Sequence, residues 1–182
     1  MNDPRPTLPE RIVAVHEALS EVPHAFGGAL ALAYHAEPRA TRDIDCNVFV
    51  DGAAATQVLT PLEALGVDTD GAFDIALRDG QVRVMWDTTP IDLFFAYDAF
   101  HTAADAGAIE VPFAQTRIRV LSATHLIVCK VVFDRPRDWV DIDSMVAADA
   151  DIDLAEVLRW VGRTCGDTDR RYDRIAALLA RR

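Results

Sequence analysis

The spacing of hydrophobic and polar positions changes along the chain and predicts which segments form strands. Between residues 43 and 50, apolar Ile44, Cys46 and Val48 alternate with their neighbours, the period of two that is typical of a half-buried strand. The same criterion predicts strands over residues 82–86 and 91–96, joined by a hairpin connection at 87–90. Two further short strands are predicted over residues 109–113 and 117–121. Together these segments predict one mixed β-sheet.

Helical periodicity and helix-start signals fill much of the remaining chain. Thr7 followed by Glu10 forms a capping-box pattern ahead of a helix over residues 11–21. Further helices are predicted over residues 29–35, 53–65, 98–107, 122–132, 136–148, 153–165 and 167–182. The predicted class is α+β, with a core over residues 1–121 and a C-terminal helical segment over residues 122–182 that packs on it as one structural unit.

Composition and charge narrow the function classes. The 182 residues carry a formal net charge of −11, so the chain as a whole repels nucleic-acid backbones, although basic residues cluster at 135–137 and 170–182. No apolar run approaches the roughly 20 residues that span a bilayer, and the first residues lack the pattern of a secretory signal. The three cysteines form no CxxC pair. We therefore expect a cytoplasmic protein with no membrane partner.

Two short motifs carry candidate chemistry. Asp43 and Asp45 are two positions apart on a predicted strand, so their carboxylates point to the same side and repel each other unless a cation or a proton lies between them. Oxygen ligands at this spacing suit Mg²⁺, but a solvated polar face on an edge strand would also explain them. Gly27 and Gly28 would let the backbone approach a phosphate closely, but taken alone the pair is weak evidence, because a turn with tight helix packing more often explains it.

A third aspartate strengthens the metal hypothesis. Asp92 lies inside the apolar segment 90–95, where an unpaired carboxylate is costly to bury. On a strand next to the Asp43/Asp45 strand it would complete a triad able to hold two metal ions. The alternative is a carboxylate at a strand end that faces solvent.

At this point the sequence resembles a known family. Gly27-Gly28, then Asp43-Ile44-Asp45, with Asp92 on a later strand, resembles the nucleotidyltransferase (polymerase-beta-like) superfamily. The string Pro-Arg-Ala-Thr-Arg-Asp-Ile-Asp over residues 38–45 is similar to the AbiEii/MenT-type toxin nucleotidyltransferases. A second region resembles the same branch, with Lys130 followed by Arg-Asp-Trp-Val-Asp-Ile over residues 137–142. The resemblance covers roughly residues 24 to 146.

The resemblance implies a fold, an activity and a set of site residues. It implies a nucleotidyltransferase-like mixed sheet flanked by helices, and transfer of NMP from an NTP with Mg²⁺ or Mn²⁺ as cofactor. It implies an RNA acceptor, above all the acceptor end of tRNA, for the toxin of a toxin–antitoxin system with a cognate antitoxin. The implied metal ligands are Asp43, Asp45 and Asp92, which are also catalytic together with Lys130 and Asp141; the implied nucleotide-binding residues are Gly27, Gly28, Arg39, Thr41, Lys130 and Asp138.

Other interpretations stay open for several of these residues and for the function. Lys130 in an apolar helix could extend its ammonium to the surface, and Asp138 and Asp141 could serve only the helix dipole. The acceptor could instead be a protein hydroxyl or a small molecule such as an aminoglycoside, which the acidic charge favours. A third alternative is an inactive regulatory protein with the same fold.

Overall fold

The computed structural model describes residues 6–181 of the chain. The opening residues, which bear on the expectation about a secretory signal, and the last residue of the predicted final helix lie outside this range. The described chain divides into two compact units. The first comprises residues up to Gly27 together with Thr41–Val120, and the second comprises Gly28–Ala40 together with the residues from Leu121 onward.

The first unit is built on a mixed sheet with six strands in the described residues. The order across the sheet is β3-β4-β2-β1-β6-β5. The central β2 runs antiparallel to β1 and parallel to β4, and antiparallel hairpins β3–β4 and β5–β6 complete the two edges. The strands are β1 His24–Phe26, β2 Ile44–Asp51, β3 Gln81–Trp86, β4 Thr89–Ala96, β5 Ile109–Phe113 and β6 Thr116–Val120.

Helices belong to both units. In the first unit these are α1 Leu8–Ala18, α3 Thr56–Ala64, α4 Ala72–Asp79 and α5 Ala99–Gly107, with a short 3₁₀ turn at Gly52–Ala54. In the second they are α2 Gly28–Leu32, α6 Ala123–Phe133, α7 Pro136–Ala147, α8 Leu154–Cys165 and α9 Arg170–Leu179. Among residues 6–181, no helix is long and apolar enough to cross a membrane.

The alternating pattern of the central strands gives the sheet one buried face. On β2 the buried apolar side chains are Ile44, Cys46 and Val48, and on β4 they are Ile91, Leu93 and Phe95, each at most 2% exposed. Of the intervening residues, Asp45 and Asp92 are only partly covered, whereas Asn47 is buried. Because side chains alternate strictly along a strand, burial of one set fixes the other set on the opposite face.

The predicted α+β class with a mixed sheet, flanking helices and a helical C-terminus is confirmed. Two elements were not predicted, β1 and α4, because a three-residue strand is too short to show a period and α4 presents Phe73 and Leu77 outward.

The connection between β3 and β4 was predicted two residues too long. Asp87, at φ 52°, permits a two-residue turn, so β4 already begins at Thr89.

Gly52 offers a test of packing in the first unit. A Cβ at this position would lie 2.6 Å from the Ala76 carbonyl oxygen of α4, which is backbone and cannot turn away. We expect Gly52→Ala to lower the free energy of unfolding in urea by about 1–3 kcal/mol. The neighbouring exposed substitution Ala53→Ser should change it by less than about 0.5 kcal/mol. Equal stability of the two variants would contradict this packing.

Candidate functional site

The first unit places the predicted carboxylates side by side. Asp45 on β2 and Asp92 on β4 are direct partners in the parallel pairing of these strands, so their side chains leave the sheet on the same face. Asp43 lies two residues before Asp45, just ahead of β2. The side chain of Asp92 is 18% exposed and that of Asp43 is 38% exposed. Asp92 is therefore not a strand-end carboxylate facing solvent.

Arg83 joins this group, and the sequence analysis did not identify it. On β3 it is the direct antiparallel partner of Asp92. Its Nε and Nη2 donate to the two carboxylate oxygens of Asp92, each at 2.7 Å, and Nη2 lies 3.9 Å from Asp43 Oδ2. The hydrogen bonds that Arg83 donates to Asp92, and the negative charge of Asp92, raise the pKa of Arg83, with smaller contributions from the charges of Asp43 and Asp45. The guanidinium thus serves as counter-ion to Asp92 and lies within ion-pair distance of Asp43.

The hairpin turn was the signal that could have revealed Arg83. With a two-residue turn at Asp87-Thr88, Trp86 pairs with Thr89 and Arg83 falls opposite Asp92. The longer predicted connection would have paired Trp86 with Ile91, which moves Asp92 away from Arg83. The sequence shows both residues, but whether Arg83 lies opposite Asp92 depends on the length of the turn.

Oxygen donors of this kind suit a hard divalent cation. As the side chains stand, no group of three or more His, Cys, Asp or Glu within residues 6–181 is positioned to hold a metal ion. In this arrangement the Arg83 guanidinium binds Asp92 and lies near Asp43. The three carboxylates therefore fit a divalent cation chemically, and the Arg83 guanidinium lies beside two of them.

Backbone and hydroxyl groups shape the same edge of the first unit. The Gly27 N–H donates to the carbonyl oxygen of Asp45 at 2.9 Å. The Thr41 hydroxyl accepts a hydrogen bond from the Asp43 N–H at 3.2 Å, which fixes the turn leading into β2. Gly27 thus contacts Asp45 and Thr41 contacts Asp43, while the binding of phosphate by either residue stays a prediction.

A second charged cluster lies within the second unit. Lys130 on α6 donates from Nζ to Asp141 Oδ2 at 2.6 Å and lies 3.7 Å from Asp138 Oδ1. All three side chains are at most 4% exposed. Asp138 and Asp141 are one turn apart on α7, and this spacing turns both carboxylates toward α6. Lys130 consequently does not reach the surface as one alternative held.

Two arginines complete this buried cluster. Arg39 donates from Nε and Nη2 to the two oxygens of Asp141, at 3.0 and 2.9 Å. Arg135 donates to Asp138 from its side chain at 2.7 Å and from its backbone N–H at 3.2 Å, so Asp138 also caps α7. Gly28, at φ 54°, begins α2 in the same unit. The predicted site residues therefore fall into one group in each unit.

The balance of burial and pairing sets the ionisation of Asp141. Burial by itself pushes the pKa of this carboxyl upward, but the hydrogen bonds and charges of Arg39 and Lys130 together outweigh burial and hold it below the usual range. Asp141 is therefore a carboxylate that forms its ion pairs with Lys130 and Arg39 in its charged form. Such buried pairs are costly to break because the remaining charge loses its partner.

Replacing Asp141 tests this cluster through the pH dependence of stability. We expect Asp141→Asn to lower the free energy of unfolding near neutral pH by about 3 kcal/mol, because Lys130 loses its nearest counter-ion. Since the pKa of Asp141 is lowered on folding, its contribution is complete above the unfolded value near 4 and disappears as pH falls through the lower folded value. The difference between wild type and variant in urea unfolding should shrink from about pH 6 to about pH 3.

The exposed Asp143 on the same helix provides the control. Asp143→Asn makes the same charge change and should alter stability by less than about 0.5 kcal/mol at each pH. A difference between wild type and Asp141→Asn that does not vary with pH would contradict the ionised cluster.

Comparison with known proteins yields likeness in structure only. No protein-family model matches this chain, and no curated protein matches it. The chain is similar to the solution structure of the antibiotic-resistance factor ANT(2″)-Ia, with a TM-score of 0.59 and 19% identity, over 93% of this chain and 94% of that one.

Two crystal structures agree with this result. ANT(2″)-Ia in complex with adenylyl-2″-tobramycin gives a TM-score of 0.55 at 16% identity, over 97% of each chain. The lincosamide antibiotic adenylyltransferase LnuA, bound to lincomycin, gives 0.52 at 14% identity, over 76% of this chain and 94% of that one. At such identities the likeness concerns the fold alone, a nucleotidyltransferase-like mixed sheet flanked by helices.

Proposed function

We propose that this chain is a metal-dependent nucleotidyltransferase that moves NMP from an NTP to an acceptor hydroxyl. The observation that carries the proposal is the pairing of Asp45 with Asp92 on adjacent strands, with Asp43 two residues before Asp45. The Arg83 guanidinium binds Asp92 and lies near Asp43. The nucleotidyltransferase fold of the whole chain supports it. Three carboxylates on one open face, joined by an arginine, have no evident role in packing the buried core.

The proposed roles follow from where each residue lies. Asp43, Asp45 and Asp92 would bind Mg²⁺ or Mn²⁺ and, through it, the NTP. Such cations neutralise phosphate charge and activate an attacking hydroxyl. Gly27 leaves a backbone edge without a side chain next to Asp45, and Thr41 would keep Asp43 oriented through its hydrogen bond.

The residues of the second unit keep the roles that the sequence resemblance gives them. Lys130 would neutralise phosphate charge, and Asp141 would position it through their 2.6 Å contact. Arg39 would orient Asp141 through its paired hydrogen bonds, so its part in nucleotide binding is indirect. Gly28 and Asp138 remain proposed nucleotide-binding residues, although Asp138 is already held by Arg135 and Lys130.

For the acceptor, we propose an RNA end, that of tRNA, in a toxin that a cognate antitoxin would control. The support is the sequence resemblance, which covers both motif regions of this chain, whereas the solved neighbours are similar in fold alone. The cytoplasm, where tRNA is found, is the proposed location.

A second acceptor class is a small cationic molecule. The net charge of −11 favours a positively charged acceptor over a polyanion. The fold neighbours also include an antibiotic-resistance factor solved with adenylyl-2″-tobramycin and a lincosamide antibiotic adenylyltransferase bound to lincomycin. Protein hydroxyls and a purely regulatory role remain as further outcomes of the same experiments.

The carboxylate row can be tested by isosteric substitution. We expect Asp45→Asn to lower kcat/KM for transfer of labelled NMP by at least about 100-fold, because an amide oxygen cannot replace the charge that binds the metal. The matched control is Asp51→Asn at the other end of β2. Asp51 caps the following turn through the Ala53 N–H, a task that Asn performs equally well, so activity should stay within about twofold. Full activity of Asp45→Asn, with unchanged circular dichroism, would contradict the proposal.

The acceptor can be identified with labelled nucleotides and a total cell extract. Each labelled NTP is incubated with the extract, Mg²⁺ and either wild type or Asp45→Asn, and the products are then treated with RNase or with protease. We expect wild type to produce labelled material from which RNase, but not protease, releases the label. We expect no such labelled material from Asp45→Asn. Label resistant to both treatments would indicate the small-molecule acceptor, and protease-sensitive label a protein hydroxyl. Complete absence of label would favour the regulatory alternative.

A further inference from the structure

Arg83, Asp92 and Asp45 form a straight row across three adjacent strands. Arg83 on β3 lies opposite Asp92 on β4, and Asp92 lies opposite Asp45 on β2. Directly paired residues place their side chains on the same face of a sheet. The buried positions Val82, Val84, Ile91 and Leu93 alternate with this row and fix its direction away from the core.

Arg83 occupies the oxygens that a divalent cation would need. Its fork geometry engages both oxygens of Asp92, and the same Nη2 faces Asp43 at 3.9 Å. A guanidinium bound in this paired manner covers the outward edge of the carboxylate. A metal ion cannot take Asp92 as a ligand through that edge until the guanidinium turns aside.

The position of Arg83 makes such a movement inexpensive. β3 is an edge strand, and the Arg83 side chain is 56% exposed, so it has room to rotate into solvent. An exposed ion pair contributes little net stability because water replaces the lost contacts well. The Arg83–Asp92 ion pair therefore holds Asp92 in the absence of another cation, and Arg83 can be displaced from it at little cost in stability.

We propose that Arg83 is an exchangeable counter-ion that offsets the charge of Asp92, and part of that of Asp43, when no nucleotide is bound, and that it makes divalent-cation binding depend on the nucleotide. This inference rests on the proposed function. Without nucleotide, an incoming cation must displace the guanidinium and also tolerate its positive charge nearby. With nucleotide, phosphate oxygens add ligands to the cation and negative charge near the guanidinium, and both favour exchange.

The consequence is order in substrate binding. The cation enters with its NTP rather than alone, and Asp92 stays paired when no substrate is present. A row of three carboxylates with no internal cation would instead bind free divalent ions readily. Arg83 thereby acts as a positioning residue for Asp92, and its effect should be measurable in equilibrium binding without any turnover.

The test is equilibrium binding of Mn²⁺ alone to the full chain. The concentration of the free ion is measured by electron paramagnetic resonance. We expect Arg83→Gln to bind Mn²⁺ about tenfold more tightly than wild type, because it removes both the competing ion pair and a nearby positive charge. With protein-free Mn²⁺ and ATP as the reference for the ion that ATP itself binds, adding ATP should tighten Mn²⁺ binding more in wild type than in Arg83→Gln. In the double variant Arg83→Gln/Asp92→Asn, the gain should be lost.

The edge hairpin β5–β6 offers the matched control. Arg117 also pairs with a carboxylate, Glu110, and its side chain is 58% exposed, close to the value for Arg83. Arg117→Gln should leave Mn²⁺ affinity unchanged. Arg83→Lys keeps the charge but loses the fork, so its affinity should lie between those of wild type and Arg83→Gln.

The outcomes separate this inference from the proposed function. Mn²⁺ affinity of folded Arg83→Gln equal to or weaker than that of wild type overturns the counter-ion role, even when NMP transfer is normal. If neither wild type with ATP nor Arg83→Gln binds Mn²⁺, both the inference and the metal-dependent mechanism are overturned.

Discussion

The parallel pairing of β2 with β4 is the constraint on which the candidate site depends. Each strand buries three apolar side chains on the same face of the sheet, and these residues pack into the interior of the first unit. A slip of the pairing by one residue would bring carboxylates into that interior, which is far more costly than any gain on the open face. The apolar residues therefore determine the place of Asp45 and Asp92, although they touch no substrate themselves.

The two units handle their carboxylates in opposite ways. In the first, the half-exposed Arg83 guanidinium binds Asp92 and lies near Asp43, on the partly covered face that also carries Asp45. In the second, Asp138 and Asp141 are buried and held by Lys130 together with an arginine each. Exposure allows the first group to exchange partners, whereas burial makes loss of a partner in the second group costly.

Local sequence signals predicted most of the elements because they depend on neighbouring residues. Caps and periodicity identified α1, α6, α7 and α8 within a few residues of their ends. The same rules missed α4, where three large apolar side chains face outward, and β1, whose three residues are all buried. The predicted register of the β3–β4 hairpin was wrong because the actual register depends on Asp87 adopting a positive φ.

The sequence by itself determined the fold class, the strand that carries Asp43 and Asp45, and the helical spacing that sets Asp138 and Asp141 on one face. Only the tertiary structure decided their partners. Arg39 and Asp141 are 102 positions apart in the chain, and Arg83 meets Asp92 through strand register rather than through a motif. Lys130 could be read as reaching solvent until the packing of α6 against α7 buried it. Partners of this kind follow from strand pairing and helix packing over the whole core, which no short segment of the sequence records.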